Sequence, residues 1–390
     1  MEYLNYNFPN EHVEWTIMIV LYPYISGIVA GSYLLSSLVH LFEVKSLQPI
    51  GRLAVLVSVA FGAFTTLPLL LHLGQPDRSF FLMIRPNLTS AMSAFGYIYF
   101  FYMLIVTVEL WILFRPLIID KAKTAKVGIV RLFYRIAALN VLEMTPGAKK
   151  VDFFIKKLLM VIGIPSACVL TGYVGFIFGS IKANPWWSSP MMPLIFILSG
   201  FVSGVGIVIM LYHTVCWVRK EVPDQACIRT LGDYLFGFLA ICVTLEELEI
   251  IQKAYEGKEN WAMIQGLLSG PLEFSFYTLQ MMVGSVIPLV LLGAFILFRL
   301  HNPFGTFLVL LSAHLVQIQV LSMRFNIIIG GQLLSKSGVG YHDYHWHIWG
   351  REGLVASVSV LVLISAFIFL LMKVFPPREA DVLDEKLEAA

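Results

Sequence analysis

Residues Met191–Val218 read MMPLIFILSGFVSGVGIVIMLYHTVCWV, without a single Lys, Arg, Asp or Glu. The stretch exceeds the roughly 20 apolar residues a helix needs to cross a hydrocarbon core. Eight more segments follow the same pattern: Trp15–Phe42, Leu53–Leu73, Thr89–Phe114, Phe154–Ser180, Leu231–Ile251, Phe274–Leu300, Phe304–Leu334 and Leu354–Val374. Over all 390 residues, 58% are hydrophobic and 13% charged, with a mean hydropathy of +0.79. A soluble domain with a polar surface cannot be built from that mixture. In lipid every backbone group must be satisfied internally, so the spans are helical. The expectation is an all-α integral membrane protein of about nine transmembrane helices, as two packed helical bundles plus an extra C-terminal span. The chain reads as a single polytopic membrane domain over residues 1–390. A tenth span would fit only at Val127–Leu142, where Arg131 and Arg135, one turn apart, suit a helix lying at the interface.

Basic residues set the expected orientation. Nineteen of the 27 Lys and Arg fall in alternate connections, ten of them between Arg115 and Lys157, against seven in the other set. The positive-inside rule puts the 19 in the cytoplasm, which leaves the N-terminus outside and the C-terminus inside the cytoplasmic membrane. Residues 115–154 then form a basic cytoplasmic or interfacial connection, and residues 377–390 a short acidic tail. Glu2, Glu11 and Glu14 stand where a signal peptide would need a basic region. The net charge of +2 follows from topology and gives no reason to invoke nucleic acid. None of the four cysteines lies in a CxxC or CxxCH run, so no iron–sulfur or c-type haem motif is visible.

Function is sought where polarity is costly, at membrane depth. The second span ends in His72-Leu73-Gly74-Gln75-Pro76-Asp77-Arg78, which sets an imidazole, a carboxylate and a guanidinium near the outer rim. This turn reads either as an interfacial cap or as the proton-exchanging end of a redox pocket. Tyr173 lies between Gly172 and Gly175, which leave room for a neighbouring helix or a flat ligand. The Asn184–Pro193 loop carries Trp186 and Trp187, which fit an aromatic belt. Gly27 and Gly31 form a GxxxG face for close helix packing. Glu109, His213, His40 and Glu43 lie towards the inner side, and Glu246, Glu247 and Glu249 in the outer half of the sixth span. Arg324 sits within the eighth span and can pair with one of those carboxylates. These groups read either as a structural polar network or as a partial proton path. A b-type haem is a rival use of the histidines, with His40 and His213 matched in depth.

Four stretches in order resemble the NrfD/polysulfide-reductase C family of quinone-interacting membrane subunits: Tyr24–Leu35 (YISGIVAGSYLL), His72–Arg78 (HLGQPDR), Ser90–Gly96 (SAMSAFG) and the block Tyr173–Gly204. Arg324–Gln332 (RFNIIIGGQ) resembles the longer members, as in sulfite-reductase-associated Dsr, Hmc-type and hydrogenase membrane complexes. The resemblance implies a subunit of a multi-subunit quinol/quinone oxidoreductase in anaerobic respiration, with no haem or iron–sulfur cluster of its own. It would bind menaquinone near the outer face and dock an iron–sulfur, ferredoxin-like subunit there. A c-type cytochrome and other membrane subunits are further partners of such complexes. Tyr173 matches the family's quinone-contacting tyrosine, and His72, Asp77 and Arg78 lie in the family turn beside that site. Tyr22 and Glu14 are positional candidates. The chain departs from the family pattern at Gln75, where Arg is usual, and at Val174, where Thr is usual. Glu109, His213, Glu246, Arg324, His40 and Glu43 are the candidate proton path. A secondary transporter and a b-type cytochrome membrane anchor remain the alternatives from other classes.

Overall fold

In a computed structural model the described residues are 12–377, save 86, 88, 126, 258, 259 and 301. The acidic tail after Pro377 lies outside them. The helices are α1 (Ile17–His40), α2 (Gly51–Phe64), α3 (Leu67–His72), α4 (Phe81–Ile84), α5 (Ala91–Thr124), α6 (Gly128–Ala137), α7 (Pro146–Gly179), α8 (Met192–Arg219), α9 (Gln225–Tyr255), α10 (Trp261–Leu268), α11 (Ile287–Leu297), α12 (Pro303–Leu333) and α13 (Leu354–Val374). A π-helical segment, Phe274–Val286, runs directly into α11. No strand occurs among the described residues.

Eight of these segments are long and apolar enough to cross a membrane, with Lys45–His72 and Phe274–Leu297 each counted as one. The expected sixth span, α9, is not among them. It has 31 residues, about 46 Å at 1.5 Å per residue. Its Glu246 and Glu249 are buried against protein. α9 packs between α8 and α11. The stretch offered as a tenth is α6, whose ten residues reach about 15 Å, half the hydrocarbon core. It lies across the end of α5, with Trp111 Nε1 donating to Ala137 O at 2.8 Å. Residues 115–154 are mostly helical: α5 continues to Thr124 and α7 starts at Pro146. Arg115 pairs with Asp152 between those two extensions.

Helices α1, α2, α5 and α7 pack as one ring, and α8, α9, the Phe274–Leu297 helix and α12 as a second. The joint between the rings is α1 against α8. A Cβ on Gly31 would fall 2.4 Å from Gly200 O, and one on Gly204 would fall 2.5 Å from Gly31 Cα. Two small-residue faces therefore cross at backbone contact, as the GxxxG reading of α1 anticipates. α13 packs on α2, α1 and α3, outside both rings.

The aromatic-belt reading of Trp186 and Trp187 needs correction. Both indoles are buried, and they donate to Asn326 O at 2.9 Å and Ile327 O at 2.6 Å. They anchor the last turns of α12 rather than facing lipid. An indole N–H buried in protein must find an acceptor, and α12 supplies two carbonyls.

Candidate functional site

At the rim where α1 begins, two of the predicted quinone-site residues, Tyr173 and Tyr22, meet around the start of α5. Ser90 caps this helix, its Oγ accepting from Ser93 N–H at 3.4 Å. Tyr173, half-buried on α7, donates from its phenol to Ala91 O at 2.9 Å. Tyr22, buried on α1, meets Phe95 edge-on with ring centroids 5.1 Å apart. Phe95 in turn lies against Tyr99, which donates to Gly62 O at 2.9 Å. Two phenols from different helices thus converge on the first two turns of α5. The glycines flanking Tyr173 seat α8 rather than a ligand. A Cβ on Gly175 would fall 2.6 Å from Met192 O, and one on Gly172 would fall 2.9 Å from Ile197 Cδ1.

His72 ends α3 with Nδ1 2.9 Å from Glu352 Oε2. Glu352, just ahead of α13, also lies 3.5 Å from Arg351 Nε. Asp77 and Arg78 stand exposed on a single 3₁₀ turn, Pro76–Arg78, and Glu14 is exposed before α1. The structure does not draw these three into the aromatic cluster.

The predicted proton-path residues divide between the rings. In the first, Glu109 is fully buried and Tyr33 donates to its Oε2 at 2.5 Å. Its other oxygen is buried with no hydrogen-bond partner. Tyr33 meets Tyr102 edge-on at 5.7 Å, and the Tyr102 phenol lies 2.6 Å from Ser58 Oγ. Gly163 makes room for the pair, since a Cβ there would fall 1.9 Å from Tyr33 Oη.

In the second ring Glu246 is closely held. Cys242 Sγ (3.1 Å) and Gln319 Nε2 (3.0 Å) donate to Oε1, and Gln280 Nε2 (2.8 Å) donates to Oε2. Asn326 Nδ2 donates to Gln280 Oε1 at 2.7 Å, and Ser275 Oγ to Asn326 Oδ1 at 2.5 Å. The π-helical segment supplies Gln280 and Ser275, and such irregular turns recur at functional sites. Glu249 pairs with Lys253 one turn on, at 3.0 Å. Trp186, Glu246, Lys253, Gln280 and Asn326 surround a cavity of about 40 Å³, which is room for a water at polar partners.

The expected hydrogen-bonded pairing of Arg324 with one of these carboxylates is not the arrangement found. Its guanidinium, fully buried, donates to Ser199 Oγ at 2.8 Å and to Phe196 O at 3.2 Å. It also stacks over the Phe196 ring, 3.7 Å from the centroid. The ring face and the carbonyl make the direct contacts, and Glu246 is near enough to act on Arg324 through charge. At the opposite rim His40 lies against Gly51, and Glu43 pairs with Lys157 at 3.2 Å in an exposed position. His213 has its Nδ1 2.9 Å from Ile209 O.

A family model described as "Polysulphide reductase, NrfD" matches residues 5–335. The chain belongs to the NrfD family. Among similar proteins, a selenate reductase subunit of Mesobacillus selenatarsenatis is 29% identical over 286 residues, 72% of this chain and 66% of that protein. A putative dimethyl sulfoxide reductase membrane subunit of Halobacterium salinarum is 28% identical over 283 residues, 72% of this chain and 61% of that protein. The "Hdr-like menaquinol oxidoreductase integral membrane subunit" of Archaeoglobus fulgidus is 23% identical over 360 residues, 90% of this chain and 78% of that protein. The chain thus spans just under two thirds of the length of the first two. The NrfD match covers both helical rings and stops before α13.

Sequence reasoning missed Glu352, Tyr33, Tyr102, Ser58, Gln280 and Asn326. Glu352 did carry a signal: it is a carboxylate at a span boundary on the same rim as His72.

Proposed function

We propose that this NrfD-family protein binds menaquinone at the N-terminal rim and exchanges electrons with an iron–sulfur, ferredoxin-like partner docked there. The observation that carries the reading is the convergence of Tyr22 and Tyr173 on the first turns of α5. On the same rim His72 is held by Glu352. The names of the selenate reductase and menaquinol oxidoreductase relatives support it, as does the basic asymmetry that turns this rim outward. Other membrane subunits and a c-type cytochrome complete the proposed complex.

Menaquinol oxidation releases two electrons and two protons. The chain's own residues serve binding and the protons. Tyr173 turns its phenol from Ala91 O towards a substrate carbonyl, and Tyr22 and Phe95 wall the ring. His72, oriented by Glu352, exchanges a proton with the aqueous rim. Asp77, Arg78 and Glu14, all exposed, contribute charge to the docking surface. Glu109, with one unmatched oxygen, is the carboxylate best suited to gain and lose a proton along a path from the opposite rim. Glu246, with three donors, is the structural member of that set, together with Arg324; His213, His40 and Glu43 mark the path's far end. The test is Tyr173→Phe in the intact complex. Quinol-linked electron transfer is expected to fall while the protein still assembles, and unchanged quinol kinetics would remove Tyr173 from the site.

A further inference from the structure

A groove of about 460 Å³ opens on the opposite rim, between α8 and α12, far along both helices from Tyr173. His213, Thr214 and Trp217 line it from α8, and Thr306, Leu310 and His314 from α12. Its volume lies in the range of about 300–1,000 Å³ usual for small-molecule sites. Trp217 is 80% exposed and His314 is exposed on the surface of the second ring, so an occupant can enter from the bilayer.

The two imidazoles share one arrangement. His213 Nδ1 lies 2.9 Å from Ile209 O, and His314 Nδ1 lies 2.8 Å from Leu310 O. A carbonyl only accepts, so each Nδ1 carries a proton, and in the neutral ring each Nε2 carries a lone pair. Two helices therefore bring two acceptors of fixed tautomer to one groove. His213 Nε2 is buried and has no hydrogen-bond partner. The missing group is a donor.

We infer that this groove is a second binding site, for the dihydroxy-aromatic head of a membrane-borne quinol whose hydroxyls donate to His213 and His314. The inference shares with the function proposed above its class of ligand and one residue, His213. Charge argues against a phospholipid head: neither Lys nor Arg lines the groove to receive a phosphate.

The experiment is photolabelling of the full chain in nanodiscs with an azido-naphthoquinol, followed by mapping of the labelled peptides. Two labelled regions are expected, one around Ala91 and Tyr173 and one within residues 210–217 and 306–314. His314→Leu should lower the second label about fivefold, near the worth of one hydrogen bond, and leave the first unchanged. His314→Gln, which retains an acceptor, should keep most of it and controls for folding. Label confined to the Tyr173 region overturns the groove site and leaves the first site standing. Label confined to the groove does the reverse. Groove labelling that survives His314→Leu, that phosphatidylethanolamine competes away, or that a haem absorption band accompanies also overturns the inference.

Discussion

The most deeply buried carboxylate of each ring, Glu109 in the first and Glu246 in the second, is held differently. Glu109 in the first has a single donor, Tyr33, and one oxygen without a partner. Glu246 in the second receives bonds from Cys242, Gln280 and Gln319, and through Gln280 it reaches Asn326 and Ser275. A buried charge is tolerated when its lone pairs are filled and is expensive when they are not. Glu246 therefore fixes the packing of α9, the π-helical segment and α12. On the proposed reading Glu109 is the carboxylate that changes its protonation state. Membrane depth is the same reason to single out both; the number of donors around each is the reason to propose different roles.

The largest expected effect comes from stripping Glu246 of its role. Glu246→Leu leaves the amides of Gln280 and Gln319 buried and unpaired, at about 1–3 kcal/mol each. Thermal unfolding in detergent should show a loss of about 2–6 kcal/mol in total. A melting temperature equal to wild type would mean the network carries no stability. Gly163→Ala comes next, because the added methyl collides with Tyr33 and overpacking costs about 1–3 kcal/mol. Its signature is loss of the Tyr33–Glu109 contact along with stability, whereas Ala at exposed Gly147 should be silent. Smaller still is Glu109→Gln, which keeps shape and removes the titrating group. In reconstituted vesicles it should abolish charge movement or proton uptake from the side opposite the N-terminal rim, while Glu246→Gln retains them. If wild type itself shows no such coupling, Glu109 is structural too.

Much of this could be read from the chain. The C-terminal span Leu354–Val374 coincides with α13, and Phe304–Leu334 falls one residue from α12 at each end. Apolar runs mark where lipid begins, but they do not mark where helices end. α5 and α7 therefore outrun their expected limits into the charged stretches around Lys121 and Lys149. The break between α2 and α3 at Thr65 and Thr66 and the π-helical segment left no hydropathy signal, since both are backbone events inside apolar sequence. At the candidate site, single costly residues were visible and their partners were not. His72 meets Glu352 across 280 positions of chain and Glu246 meets Gln319 across 73, separations that no periodicity encodes. Tyr33 and Tyr102 went unread because a buried tyrosine looks like core until its hydroxyl is located.

The most direct measurement is equilibrium binding of a naphthoquinol to the purified chain, wild type against Tyr173→Phe. Tyr173 now donates to a backbone carbonyl, so its contribution to a ligand is the ordinary net hydrogen bond of about 0.5–1.5 kcal/mol. The expected result is a Kd raised about two- to twelvefold at an unchanged melting temperature. Identical dissociation constants for the two proteins, or no binding by wild type, would contradict a quinone site at the N-terminal rim.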